Sequence, residues 1–169
     1  MTSVQKKVEK IADAARNSLG DYCMNECKAY CCRKGFLVVT EDQADTVTQG
    51  QTKQLISEKK LTPIEGGGLA LDFGATGGCP SLKDFKCTIY TDKKRPKACG
   101  DFPVFIWKNE VVRLSTKCPA VRENKLYPYM DKIKKLGYKL SYSNEKGEKV
   151  NIKDDEIVNN RKKNLNKKV

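Results

Sequence analysis

The chain has 169 residues, 38% hydrophobic and 32% charged, with eight cysteines, no histidine and a formal charge of +12. That length suits one ordinary domain or a small cysteine-held core with appendages. No apolar run approaches the roughly 18 residues of a membrane span, and the polar, basic residues 1–10 lack the apolar centre of a secretory signal. A cytoplasmic location is therefore expected, where thiols stay reduced and a dense cysteine pattern marks metal or redox chemistry more often than disulfides. Without histidine, hydrolase triads and zinc sites with a nitrogen ligand are excluded. Any metal must sit on sulfur, which suits zinc or an iron–sulfur cluster and not magnesium, calcium or manganese. Five of the net positive charges fall up to Ala120 and seven after it, so the tail is the more basic part per residue. An anionic partner, charge compensation for a thiolate cluster and a plain lysine-rich surface all fit that balance.

In chain order, Val4, Val8, Ile11, Ala12, Ala15 and Leu19 recur at helical spacing and predict an amphipathic helix over residues 3–19, capped by Ser3 and ended by Gly20. Asp21 is read as the cap of a second helix that carries Cys23, Cys27 and Cys31 at four-residue steps and stops at Gly35. A strand at 36–39 leads to Thr40-Glu41-Asp42-Gln43, a capping box for a helix ending near Gly50. A short helix holding Leu55, Ile56 and Leu61 follows. Pro63 and Gly66-Gly67-Gly68 form a turn before a strand at 69–73, and the triple glycine has no Lys-Ser or Lys-Thr after it, so no nucleotide motif is present. Residues 104–107 and 111–114 are expected to pair as a hairpin turning at Asn109-Glu110. Residues 127–136 read as a helix, 139–143 and 149–152 as a second hairpin, and the Asn-, Lys- and Arg-rich 159–169 as a solvated end. The fold class is α+β: a small cysteine-rich single domain with short strands, divided into an N-terminal helix (1–20), a cysteine domain (21–120) and a basic C-terminal extension (121–169).

The eight cysteines form two blocks: C-x3-C-x3-C-C at Cys23, Cys27, Cys31 and Cys32, then Cys79, Cys87, Cys99 and Cys118. The chain must fold back for the second block to meet the first, which couples metal binding to folding. On a straight helix Cys23 and Cys31 stand roughly 12 Å apart, whereas sulfurs on one tetrahedral zinc are roughly 3.8 Å apart. Unless the helix breaks, two sites or a larger iron–sulfur cluster are favoured over one zinc. Any single cysteine could be a buried apolar residue; the spaced clusters favour ligation.

The ordered set Cys23, Cys27, Cys31, Cys32, Gly78-Cys79-Pro80-Ser81-Leu82, Cys87-Thr88-Ile89-Tyr90, Arg95-Pro96, Cys99 and Phe102-Pro103 resembles the YkgJ-type cysteine-cluster family, described as zinc- or iron-chelating. The resemblance covers residues 22–119. It implies that Cys23, Cys27, Cys31, Cys32, Cys79, Cys87, Cys99 and Cys118 are the metal ligands and that Tyr90, Arg95 and Pro96 shape the site. This chain has three-residue gaps where the family form is C-x2-C-x2-C-C. The family includes proteins called iron–sulfur oxidoreductases, and a similar cluster occurs in flagellin lysine methylases.

Arg95 is read either as a guanidinium that stabilises nearby thiolates or as a surface arginine in a turn. Tyr90, Phe102 and Trp107 are expected to be core residues that wall the site from water. Three functions follow. The leading one is an iron–sulfur protein, or a zinc protein, supporting electron transfer or cluster-dependent chemistry. The second is a zinc-stapled module that binds nucleic acid or protein through its basic tail. The third is a thiol-based redox enzyme using the vicinal pair Cys31-Cys32.

Overall fold

The computed structural model describes residues 1–144 and 148–150. The first helix, α1 (Ser3–Asn17), is capped by Thr2 and not by Ser3, with Gln5 closing the capping box, and it buries Val8, Ala12 and Ala15. A five-residue π-helical turn, Tyr22–Glu26, follows, then a separate short helix α2 (Tyr30–Arg33). Next come β1 (Phe36–Val39), α3 (Glu41–Thr48), α4 (Thr52–Ser57), β2 (Leu61–Pro63), β3 (Leu69–Asp72) and α5 (Phe73–Thr76). The expected capping box of Thr40 and Gln43 does start α3. Leu61 belongs to a strand and not to the helix of Leu55, because Lys59 turns the chain in a left-handed conformation. Two two-residue strands, β4 (Leu82–Lys83) and β5 (Lys86–Cys87), precede α6 (Lys97–Asp101). The chain ends with β6 (Val104–Trp107), β7 (Val111–Ser115), α7 (Pro119–Arg122), α8 (Tyr127–Lys135), β8 (Lys139–Ser143) and β9 (Lys149–Val150).

The fold is α+β, and its contacts group into two compact units. One unit is formed by the two ends of the chain, Met1–Tyr22 together with Asp101 onward; the other is Cys23–Gly100. In the first, β6 and β7 form the expected hairpin, with Lys108-Asn109-Glu110 as the connection and Asn109 and Glu110 at positive φ. Strand β8 pairs with β9 as expected but also lies parallel to β7, Val111 opposite Lys139 through Ser115 opposite Ser143. The crossover needed for a parallel pair is made through α7 and α8. Val104, Val112, Ile133 and Ala120 are fully buried, with Leu126 and Leu114 nearly so.

In the second unit the sheet order is β1-β3-β2, antiparallel throughout. Alternation along β1 and β3 turns Leu37, Val39, Leu69 and Leu71 to one side. There they join Ala44 and Val47 of α3, Leu55 of α4, Leu61, Phe73 and Ile89 in one apolar cluster. No helix among the described residues is long and apolar enough to cross a membrane. Residues 151–169, which include the end of the expected second hairpin and the 159–169 basic segment, lie outside the described residues.

Candidate metal centre

Seven of the eight cysteines fall in Cys23–Gly100. The first array does not sit on one helix. Lys28 and Ala29 both adopt left-handed backbone with φ of 52°, a conformation costing a non-glycine residue roughly 1–2 kcal/mol. They separate Cys23 and Cys27 from Cys31 and Cys32. Local bonds hold the break: the Ala29 N–H donates to the Cys23 carbonyl at 2.7 Å, and the Arg33 guanidinium donates to the carbonyls of Lys28 at 2.7 Å and Cys27 at 3.4 Å. The straight-helix separation of Cys23 from Cys31 therefore does not apply and does not count against a single metal.

The two blocks meet backbone to backbone: the Cys79 N–H donates to the Cys32 carbonyl at 2.7 Å. Gly78 suits the turn into this contact because its φ is +124°, a backbone conformation that side-chain-bearing residues rarely adopt. Asp72 caps α5 by accepting from the Gly74 and Ala75 amides, and the Thr76 hydroxyl donates to the Gly78 carbonyl at 2.7 Å, which fixes the run into Cys79.

After Cys79 the chain makes a hairpin that sequence reasoning did not find. Leu82 pairs with Cys87 and Lys83 with Lys86 around a two-residue turn, Asp84-Phe85, whose φ values of 50° and 61° are those of a type I′ turn. Glycine is the usual signal there, and none is present. Lys28 and Arg33 approach the Phe85 ring at 5.4 and 6.0 Å, so the hairpin tip is tied to the first array by cation–π contacts. Ser81 was also missed as a supporting residue. Its hydroxyl is buried, donates to the Val47 carbonyl at 2.7 Å and accepts from Gln49 Nε2 at 3.0 Å, which anchors the Cys-Pro-Ser segment to the end of α3. Its carbonyl accepts both the N–H and the hydroxyl of Thr88, the residue after Cys87.

Cys99 lies on α6, with its N–H donating to the carbonyl of buried Pro96. The Arg95 guanidinium donates to the carbonyls of Tyr90 at 3.3 Å and Cys99 at 3.2 Å and lies 4.4 Å from the Tyr90 ring centre. Its contacts are therefore with carbonyls and a ring face. Tyr90 and Trp107 are each 54% exposed, not core walls, because each ring packs under an arginine with its other side in water. Phe102 is half-buried and meets Phe105 edge to face. Cys118 is buried in the first unit, where it precedes Pro119 at the start of α7.

Cys79, Cys87 and Cys99 pack against the apolar cluster, and all seven thiols of this unit are half-exposed. Burial pushes the Cys79 thiol up to about 12; the Ser81 amide N–H aimed at its sulfur opposes the rise, and charge on Cys32, Cys99 and Cys87 adds to it. Cys79 is thus the centre of a four-sulfur neighbourhood. As they stand, no three His, Cys, Asp or Glu side chains among the described residues are gathered tightly enough to hold one ion. The donor set nonetheless fits a soft or borderline cation: positive charge among these four sulfurs would turn their mutual repulsion into attraction and replace the proton that burial holds on Cys79.

A cysteine-rich metal-binding domain is the class these features define. The chain belongs to the CxxCxxCC family, described as "Putative zinc- or iron-chelating domain", whose model matches residues 22–126. Neither a curated protein nor a solved structure matches the chain.

Proposed function

We propose that this is an iron–sulfur protein whose centre is held by the thiolates of Cys32, Cys79, Cys87 and Cys99, with Cys23, Cys27 and Cys31 as the further ligands of the same unit. The observation that carries the reading is the gathering of Cys79, Cys87 and Cys99 against one apolar cluster, with the Cys79 N–H bonded to the Cys32 carbonyl. Sulfur is the sole soft donor available, the N–H of Ser81 points at the Cys79 sulfur, and three of the thiols lie on apolar side chains. These are the features by which a protein sets the potential of a cluster. Seven thiols in one unit also exceed the four that one zinc takes. Such a centre would serve electron transfer or cluster-dependent chemistry in a reducing cytoplasm. Cys118 stays a ligand candidate through the resemblance alone.

Zinc is the second reading, favoured by the same four-sulfur neighbourhood, which equals the all-thiolate donor set of a structural zinc site. Anaerobic purification, a visible spectrum and assay of iron, zinc and acid-labile sulfide on one sample decide between them. A brown protein with iron and sulfide, and loss of both in Cys79→Ser, is expected. A colourless protein loaded with zinc overturns the cluster and keeps the thiolate site. Absence of both metals from protein made in metal-replete cells overturns both readings.

A further inference from the structure

On the sheet of the first unit, one face carries two rows of side chains set by register: Phe105, Arg113 and Ser141 across β6, β7 and β8, then Trp107, Val111 and Lys139. The Arg113 guanidinium lies 4.4 Å from the Trp107 ring centre. Among the described residues its Nε has no hydrogen-bond partner and neither has the Ser141 hydroxyl beside it, although both atoms are shielded from water. Arg113 also has no carboxylate partner among the described residues. A shielded donor without a partner is costly, and a planar guanidinium pairs best with a phosphate or carboxylate. No side chain of the two rows is acidic, and Trp107 and Lys139 are exposed.

We infer that this face binds single-stranded nucleic acid, with a phosphate on the outer edge of the Arg113 guanidinium, a base stacked on the open side of Trp107 and Lys139 on the neighbouring backbone. An acidic peptide would use the arginine and leave the indole idle. A strand of nucleotides uses both, because every base offers a flat face to an aromatic ring while its phosphates track cations. The chain's charge of +12 favours the same polyanion. This binding is separate from the metal centre, and its test does not depend on which metal is held.

Trp107 is the sole tryptophan, so its emission reports on this face directly. The full-length, metal-loaded protein is titrated with a mixed-sequence single-stranded oligonucleotide of about 12 nucleotides, with the matching duplex and with polyglutamate. Saturable quenching by the single strand is expected, weakening as salt rises. Arg113→Gln should weaken it about tenfold or more, and Lys139→Gln should lower the salt slope by about one. Arg113→Lys, which keeps charge without the fork, should recover only part of the affinity, and far-ultraviolet circular dichroism with metal content confirms that each variant folds. Should Arg113→Gln fail to fold, Lys139→Gln and Arg113→Lys carry the test. The proposal is overturned if the single strand leaves Trp107 emission unchanged, which would place any binding elsewhere, such as the lysine-rich 159–169. It is equally overturned if polyglutamate quenches as well as the oligonucleotide, which would make the partner an acidic protein, or if the folded variants bind like the parent.

Discussion

In the unit made from the chain's ends, a fifteen-residue helix, a nine-residue helix and two five-residue strands take Val8, Ala12, Val104, Val112 and Ile133 completely out of water. In Cys23–Gly100 the longest helix has eight residues and the longest strands four. That unit has its own apolar cluster on β1, β2, β3 and α3, and the segments bearing Cys79, Cys87 and Cys99 border it. The cysteine-bearing segments are held by turns, carbonyl contacts from Arg33 and Arg95, and four non-glycine residues with positive φ: Lys28, Ala29, Asp84 and Phe85. One unit is closed by apolar packing. The other carries thiols at the border of its apolar cluster, and metal bonds to those thiols would fix its loops.

The sharpest way to break this contrast is to remove the metal. Chelation of the reduced, loaded protein should lower hydrogen-exchange protection of the Cys79, Thr88 and Cys99 amides about a hundredfold or more, while the Val112 and Leu114 amides keep theirs. A uniform loss over both units would refute the distinction. The reciprocal test cuts into the apolar unit. Ile133→Ala should cost about 2–5 kcal/mol in chemical denaturation, the range for a fully buried side chain, with metal stoichiometry unchanged; loss of metal in a variant that still folds would count against it.

A smaller effect concerns pH. The Cys79 thiol keeps its proton to about 12 in the folded chain against the usual 9.0, so in the metal-free protein its contribution to stability is complete below about pH 9 and is lost as pH rises towards 12. The fall in melting temperature over that window should be steeper than in Cys79→Ala, which lacks the group; parallel curves would show that the thiol is not held protonated. In the same metal-free protein, Cys79 should react with iodoacetamide near neutral pH far more slowly than a free thiol does, since the thiolate is the nucleophile, as peptide mapping would show.

Much of the architecture was legible from local pattern. The helical spacing from Val4 onward, the Thr-x-x-Gln box of α3, the alternation of β1 and the hairpin at Asn109-Glu110 are signals carried within a few residues. The break at Lys28-Ala29 was not legible, because neither residue is a glycine or proline and the bonds that hold it come from Cys23 and Arg33. The Asp84-Phe85 hairpin was hidden for the same reason, its tip being steadied by cations from another segment. Parallel pairing of β7 with β8 is non-local and leaves no mark in either strand's own residues. At the site, the cysteines announce the chemistry, but the grouping of Cys32 with Cys79, Cys87 and Cys99 depends on a glycine turn and a buried serine that only the folded chain brings together. Tyr90 and Trp107 read as core residues in the sequence because aromatic content alone does not reveal that an arginine covers one side of each ring.

Arg16 joins the two ends of the chain: its guanidinium, largely buried on α1, donates to the carbonyls of Asp101 at 3.2 Å and Val104 at 2.6 Å. Everything from Cys23 to Gly100 is thus a guest sequence spliced between two stretches that already hold each other. For the host, the guest is a closed loop, and loop-closure entropy changes only with the logarithm of length, about 0.6 kcal/mol per doubling. Insertions or deletions in the guest's turns should therefore cost the host only tenths of a kcal/mol. A lineage could then lengthen, trim or respace its cysteine segments, as the three-residue gaps between Cys23, Cys27 and Cys31 illustrate, without having to redesign the scaffold from which they are displayed.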